Sequence, residues 1–330
     1  MLRAGRVSWC IATSNDVPAQ GTQSNAMKGQ TMKRHTETNR RILAAMLVMA
    51  ALAGICAAAG EIDITPDVVY GHKHGMALTM DVFRPAEDNG IGVLFMVSGG
   101  WFSKWAPPRQ TMGLFKPLLD SGFTVFAVRH GSSPKYVIPE IVPDVRRSVR
   151  FVRLHADRYG VDPERLGVCG YSAGGHLSLM LGTTSDAGDP DAKEELLRQS
   201  DRVAAVVAYF PPTDLRPIVR PDSEYPKNFP ALGFDPNDVN DVSPLLHATA
   251  DDPPTLLVHG DKDWLVPLWH SEKMCEALKQ KDVACELLVI EGAGHGFRGK
   301  DSERASKAMI EWFEKHLLEK KSAPKPEAGN

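Results

Sequence analysis

From about residue 63 onward, short apolar runs alternate with longer amphipathic runs. Five of the apolar runs are hydrophobic at nearly every position: residues 91–98, 123–129, 165–171, 203–210 and 254–260. Strands that are apolar on both faces are typical of a parallel sheet covered by helices. The intervening runs repeat their apolar positions at helical spacing. The alternation predicts an α/β fold, a three-layer sandwich with a mostly parallel central sheet.

Two shorter patterns add detail to this architecture. Residues 67–71 and 77–85 read as two strands of a hairpin, with the turn at 71–75. The clearest helical pattern covers residues 143–160, where valines recur on one side and arginines on the other. Asp144, which follows Pro143, is its predicted N-cap.

One interval breaks the alternation of strands and helices. Residues 211–252 are rich in Pro and Asp and have no long period. A plain connection of this length is uncommon in a compact domain. We therefore predict one domain over residues 60–320 with a small cap insertion at about 211–252. The last residues, 321–330, are expected to form a disordered tail.

The N-terminal region has the pattern of a secretory signal at residues 32–59. Basic residues at its start precede an apolar run from 42 to 59, and Ala57 and Ala59 suit a signal peptidase. Residues 1–31 lack any such pattern, so we expect a non-structural extension with the true start at Met32. The prediction is a secreted or periplasmic protein. Two alternatives stay open: an uncleaved membrane anchor, and a lipoprotein attached at Cys56.

Composition and charge exclude some classes of protein and of partner. The 330 residues are 43% hydrophobic and 24% charged, with a formal net charge of −3. That balance is typical of a globular protein and shows no basic face, so no nucleic-acid partner is expected. The few cysteines exclude a disulfide scaffold. Whether Cys275 and Cys285 pair is left open.

The segment Gly170-Tyr171-Ser172-Ala173-Gly174 matches G-x-S-x-G between a predicted strand and a predicted helix. In that context the motif is a nucleophile elbow, because a sharp turn between small residues exposes the serine. Ser172 is therefore the candidate nucleophile. His176, which follows the elbow, is expected to pack on the new helix.

A serine hydroxyl needs a base and an orienting carboxylate before it can attack a carbonyl. His295 lies in a glycine-rich loop after a predicted strand and is the candidate base. Asp263 follows another strand and is the favoured acid, with Asp261 and Asp214 as alternatives. Because these residues follow different parallel strands, we expect them to meet at one sheet edge.

Backbone N–H groups are expected to stabilise the oxyanion that forms at the attacked carbonyl. One donor should be Ala173, directly after the nucleophile. The others should come from the loop after residues 91–97, where we predict Gly100 and Trp101 as donors and Gly99 as the residue that shapes the turn.

Together these motifs resemble the α/β-hydrolase superfamily over about residues 65–318. They are MDVFRP, GYSAGGHLSL, AYFPPTDL, SPLLH, PPTLLVHGDKDWLVP and GAGHGF. The chain is most similar to exported esterases of the feruloyl and acetyl-xylan type, related to hormone-sensitive-lipase and dienelactone-hydrolase groups. That resemblance implies the same nucleophile, acid and base. Ser98 departs from it, since the family loop usually begins with a histidine.

The expected function is a serine hydrolase that cleaves carboxylic esters through an acyl-enzyme, without a metal or organic cofactor. The resemblance implies a small-molecule or polysaccharide-linked ester as substrate. A membrane partner is expected only through an uncleaved N-terminal anchor. The alternatives are a prolyl-oligopeptidase-like peptidase and a non-catalytic binding protein on a hydrolase fold.

Overall fold

The computed structural model describes residues 61–318, and these form an eight-stranded sheet with helices on both faces. The strand order is β1-β2-β4-β3-β5-β6-β7-β8. β1 pairs antiparallel with β2, and β2 with β4, whereas every other pairing is parallel. The strands are β1 Asp63–Lys73, β2 Met76–Arg84, β3 Gly92–Met96, β4 Thr124–Val128, β5 Gly167–Tyr171, β6 Ala205–Tyr209, β7 Thr255–Gly260 and β8 Cys285–Ile290.

Helices occupy the connections between the parallel strands, and one more helix follows the last strand. They are α1 Pro108–Asp120, α2 Ile138–Leu154, α3 Ala156–Tyr159, α4 Ala173–Thr183, α5 Tyr225–Asn228, α6 Trp269–Lys279 and α7 Lys300–Phe313. The apolar residues of α2, α4 and α6 join one buried cluster, and those of α1 and α7 join a second. Successive residues of a strand point to opposite faces, so in β3 Leu94 enters the first cluster and Phe95 the second. The predicted three-layer α/β sandwich is confirmed.

Two local predictions were wrong. The hairpin strands extend to Lys73 and resume at Met76, so the turn is shorter than predicted. Helix α2 begins at Ile138, and Asp144 lies inside it. Pro139 falls in the first helical turn, where a missing N–H removes no helix hydrogen bond. The Asp144 carboxylate instead accepts the N–H of Gly131 at 2.9 Å.

The segment between β6 and β7 contains only short helical turns. Besides α5, it holds 3₁₀ turns at Pro230–Leu232, Pro236–Asp238 and Pro244–His247. Elsewhere, the Cys275 and Cys285 sulfurs form a disulfide between α6 and β8. Within residues 61–318, no helix has the length and hydropathy of a membrane span. The predicted extension at 1–31, signal at 32–59 and tail at 321–330 lie outside the described residues.

Candidate active site

Ser172 lies at the turn between β5 and α4. Its backbone has φ 52° and ψ −115°, a conformation that a non-glycine residue rarely adopts. A Cβ atom at Gly170 would lie 2.5 Å from the carbonyl of Gly174, and one at Gly174 would lie 2.6 Å from the Met96 carbonyl oxygen. The turn therefore requires glycine at both positions, and it leaves the Ser172 side chain at the carboxyl edge of the sheet.

His295 joins Ser172 to Asp263 through two hydrogen bonds. Its Nδ1 lies 2.7 Å from Oδ2 of Asp263, and its Nε2 lies 2.9 Å from Oγ of Ser172. An ionised carboxylate only accepts hydrogen bonds, so Nδ1–H donates to Asp263. Nε2 is then left to accept the Ser172 hydroxyl proton. The structure thus brings together the three residues that the motifs singled out.

The Asp263 carboxylate is fixed by contacts from its own loop and from β7. Its Oδ1 accepts the N–H groups of Leu265 and Val266, both at 2.9 Å. Nε2 of His259 lies 3.5 Å from Oδ2, a contact that spacing did not predict. Burial by itself raises the pKa of Asp263, but hydrogen bonds from His259 and His295 outweigh burial and hold the pKa well below its usual range. Asp263 is therefore ionised at neutral pH.

The other two candidate acids have different partners. Asp261 accepts the N–H of Gly292 at 2.6 Å and so connects the loops after β7 and β8. Asp214 pairs with Arg216, with Nη2 and Oδ2 2.8 Å apart. The carboxylate in hydrogen-bond contact with the imidazole of His295 is that of Asp263.

The loop after β3 closes on itself beside the elbow. Gly99 and Phe102 exchange two backbone hydrogen bonds of 3.0 Å. Between them, Gly100 has φ 56° and Trp101 has φ 61°, both left-handed. Within residues 61–318, the amide N–H groups of Gly100 and Trp101 have no hydrogen-bond partner. The N–H of Ala173 belongs to the first turn of α4, where helical N–H groups have no intrahelical acceptor.

His130, from the end of β4, supports this loop at Ser98. Its Nδ1 lies 2.9 Å from the Gly131 carbonyl oxygen, which can only accept. Nε2 therefore accepts a hydrogen bond from the Ser98 hydroxyl, also at 2.9 Å. The resembling esterases usually carry a histidine at the position of Ser98. In this chain, Ser98 contacts the imidazole of His130, which follows another strand. Sequence reasoning missed this residue, since nothing in its local pattern links it to Ser98.

His176 is buried in α4 and packs on that helix as expected, but it also makes two contacts that the motif did not indicate. Nδ1 lies 3.3 Å from Nε1 of Trp101, and Nε2 lies 2.8 Å from the Val242 carbonyl oxygen. Val242 belongs to the segment between β6 and β7. His176 therefore bridges the loop after β3 and that segment.

A small pocket opens beside Ser172. Its volume is about 40 Å³. Gly100 and Trp101 form one wall, while Phe229 and Leu232 come from the segment between β6 and β7. All of the lining side chains are uncharged: the set is completed by Pro212, Ile218, Tyr225, Leu265 and Val266. The pocket can take a small apolar group next to the serine oxygen.

The sheet, the elbow and the Ser–His–Asp arrangement define the chain as an α/β hydrolase. The chain belongs to the BD-FAE family, whose model matches residues 80–278. A second model, described as TAP-like protein, matches residues 236–323. The predicted resemblance to α/β-hydrolase esterases is confirmed.

Several curated relatives are similar over most of the chain. The probable carboxylic ester hydrolase LipM of Mycobacterium tuberculosis is 30% identical over 74% of this chain and 58% of its own length. Esterase LipC of the same organism is 29% identical over 72% of this chain and 60% of its own length. The ethyl acetate hydrolase of Pseudomonas putida is 28% identical, covering 80% of this chain and 86% of that protein. The chain spans about 60% of the length of the two mycobacterial relatives.

Solved structures share the architecture. An esterase from the Planctomycetes species Thermogutta terrifontis has a TM-score of 0.63 and 26% identity, covering 80% of this chain and 95% of that chain. The same esterase phosphorylated by paraoxon has a TM-score of 0.61 and 26% identity, over 78% and 94% of the two chains.

Proposed function

We propose that this chain is a carboxylic ester hydrolase that uses Ser172 as nucleophile, His295 as general base and Asp263 as the orienting acid. The observation that carries the proposal is the hydrogen-bonded series from Asp263 through His295 to the Ser172 hydroxyl. The names of LipM and of the ethyl acetate hydrolase support ester hydrolysis as the reaction type.

In the first half-reaction, Ser172 Oγ attacks the ester carbonyl carbon while its proton passes to Nε2 of His295. The carboxylate of Asp263 stabilises the resulting imidazolium. The tetrahedral intermediate then collapses, the carbon–oxygen bond to the alcohol breaks, and His295 returns the proton to the leaving alkoxide. The product is an acyl group on Ser172. A water molecule repeats the sequence and releases the carboxylic acid.

The oxyanion of each intermediate would be held by the N–H groups of Ala173, Gly100 and Trp101. Removal of one such donor in a serine hydrolase lowers kcat by about 10² to 10³-fold. The pocket of about 40 Å³ beside these donors is uncharged and small. It favours a short acyl chain such as acetyl over a long one. As substrate we propose a small-molecule ester or a polysaccharide-linked ester.

The test is hydrolysis of p-nitrophenyl acetate, butyrate and decanoate, acetylated xylan and a peptide p-nitroanilide. The wild type should prefer acetate, and Ser172→Ala should lower kcat by on the order of 10⁵ to 10⁶-fold. Paraoxon should phosphorylate the wild type and leave Ser172→Ala unmodified, as read by intact mass. Turnover of only the anilide would favour a peptidase. No turnover and no phosphorylation would support a binding protein and refute the proposal.

A further inference from the structure

We propose that His176 is a positioning residue for the oxyanion loop, defined as residues 98–102, and that it fixes this loop to the segment between β6 and β7. The inference rests on the proposed ester hydrolysis, because the loop supplies the oxyanion donors of that reaction. His176 itself is four residues beyond the nucleophile and is not in contact with the reacting atoms in the proposed mechanism.

The partners of His176 specify its tautomer. The indole N–H of Trp101 can only donate, so Nδ1 of His176 must accept it. The Val242 carbonyl can only accept, so Nε2 must carry the proton and donate it. Both hydrogen bonds require the neutral imidazole with its proton on Nε2. Burial lowers the pKa of His176 to about 4, which keeps that form at neutral pH.

The backbone of Trp101 has an unfavourable conformation, and these contacts stabilise it. Trp101 has a left-handed φ of 61°, which costs free energy for a residue with a bulky side chain. Its indole is buried and meets the His176 imidazole edge to face, with the ring centres 5.5 Å apart. Its carbonyl oxygen accepts the N–H of Ser133 at 3.1 Å. Trp101 is thus held at its side chain and at its carbonyl, and its N–H is left for the oxyanion.

The second partner belongs to a different segment of the chain. Val242 belongs to the segment between β6 and β7, which also supplies Phe229 and Leu232 to the pocket lining. Phe229 approaches the oxyanion loop closely, since a Cβ atom at Gly100 would lie 3.0 Å from its Cδ1. His176 therefore connects the loop that contains Trp101 to the segment that contains Phe229.

The test uses three variants that alter these hydrogen bonds and keep most of the packing. His176→Phe retains a flat ring without an acceptor or donor. Trp101→Phe keeps an aromatic ring at this position but removes the indole N–H together with part of the ring. His176→Gln retains one acceptor and one donor on adjacent atoms. All three are assayed on p-nitrophenyl acetate, with kcat expressed per active site titrated with paraoxon.

A misplaced oxyanion donor weakens transition-state binding more than substrate binding. His176→Phe should therefore lower kcat by about 10- to 100-fold and change KM by less than about threefold. The affinity for a methyl trifluoromethyl ketone, which forms an oxyanion adduct, should fall in parallel. Trp101→Phe should give a similar loss, and the double variant should lose little more than either single one. His176→Gln should recover most of kcat.

Val149→Ala is the matched control, because Val149 is buried in α2 and makes no hydrogen bond to the oxyanion loop. It should lower the thermal midpoint and leave kcat per active site unchanged. If the wild type is active and His176→Phe has the same kcat and the same ketone affinity as the wild type, the inference about His176 is overturned and the proposed function is not. An inactive wild type overturns the proposed function and the inference together. If His176→Phe does not fold, Trp101→Phe decides by the same two measurements.

Discussion

Two regions meet at Ser172: the loops after β7 and β8, which include His295, and the loop after β3, which His130 and His176 contact. The histidines of the two regions have different partners. His295 lies between a carboxylate and a hydroxyl, and its side chain is 17% exposed. His130 and His176 are fully buried between neutral groups: a hydroxyl, an indole and backbone carbonyls. Only the first arrangement offers an anion to a protonated imidazole.

This difference in partners determines whether a histidine can take up a proton during catalysis or only makes fixed hydrogen bonds. Burial lowers the pKa of both His130 and His176 to about 4, since neither has a carboxylate close enough to offset the lost hydration. Asp263 stays ionised beside His295 and can stabilise the cation that forms during catalysis. Histidine thus has two roles around Ser172, as a base at His295 and as a fixed hydrogen-bonding residue at His130 and His176. The partners of each imidazole determine its role.

Among changes to the partners of these histidines, removal of the Asp263 anion should have the largest effect. In Asp263→Asn, the amide can donate to Nδ1, which favours the tautomer with the proton on Nε2 and leaves no base for Ser172. We expect kcat for p-nitrophenyl acetate to fall on the order of 10⁴-fold. Asp214→Asn is the matched control: Asp214 is a buried carboxylate that pairs with the half-exposed Arg216 and makes no contact with His295, so the change should alter kcat by less than about threefold. Similar losses in both variants would contradict the assignment of the acid.

A smaller effect, on stability, should come from three buried histidines, His130, His176 and His270. Burial lowers their folded pKa values to about 4, below the unfolded value of about 6.5. The unfolded chain therefore binds more protons between these limits, and the free energy of unfolding should decrease as pH falls from about 6.5 to 4. Asp263, with its lowered pKa, stabilises the fold throughout that range and loses its effect only in stronger acid.

Urea denaturation between pH 7.5 and 4 measures this decrease. The wild type should lose several kcal/mol across the window, at about 1.4 kcal/mol per pKa unit and histidine. His176→Gln cannot titrate there and should show a shallower slope. A His176→Gln slope as steep as that of the wild type would show that His176 is not held neutral by the fold.

The sequence predicted the parts of the molecule that follow local rules. Continuous apolar runs indicated the parallel strands, because helices cover both faces of such a sheet. The elbow was predictable because its motif spans five consecutive residues, and the close approach of Gly170 to the Gly174 carbonyl is local to that turn. His295 and Asp263 were predictable because each follows a strand of the same sheet, and parallel strands end at one edge.

Contacts between distant loops could not be predicted in the same way. His130 approaches Ser98 from the neighbouring strand, and His176 approaches Val242 across 66 residues of sequence. Neither pairing leaves a period or a spacing in the chain. Tertiary packing decides these features, and no local pattern records it.

The smallest expected effect tests the support of the loop at Ser98. Ser98→Ala removes the hydroxyl that donates to Nε2 of His130 and leaves a buried acceptor unpaired, a loss of about 1 kcal/mol. If that loss loosens the oxyanion loop, kcat for p-nitrophenyl acetate should fall about fivefold at unchanged KM. Ser148→Ala is the control, because Ser148 is buried in α2, outside the oxyanion loop, and its hydroxyl bonds only the Val145 carbonyl. Equal kcat in both variants would show that the loop is held without His130, and that the supports of the oxyanion side are concentrated at Trp101.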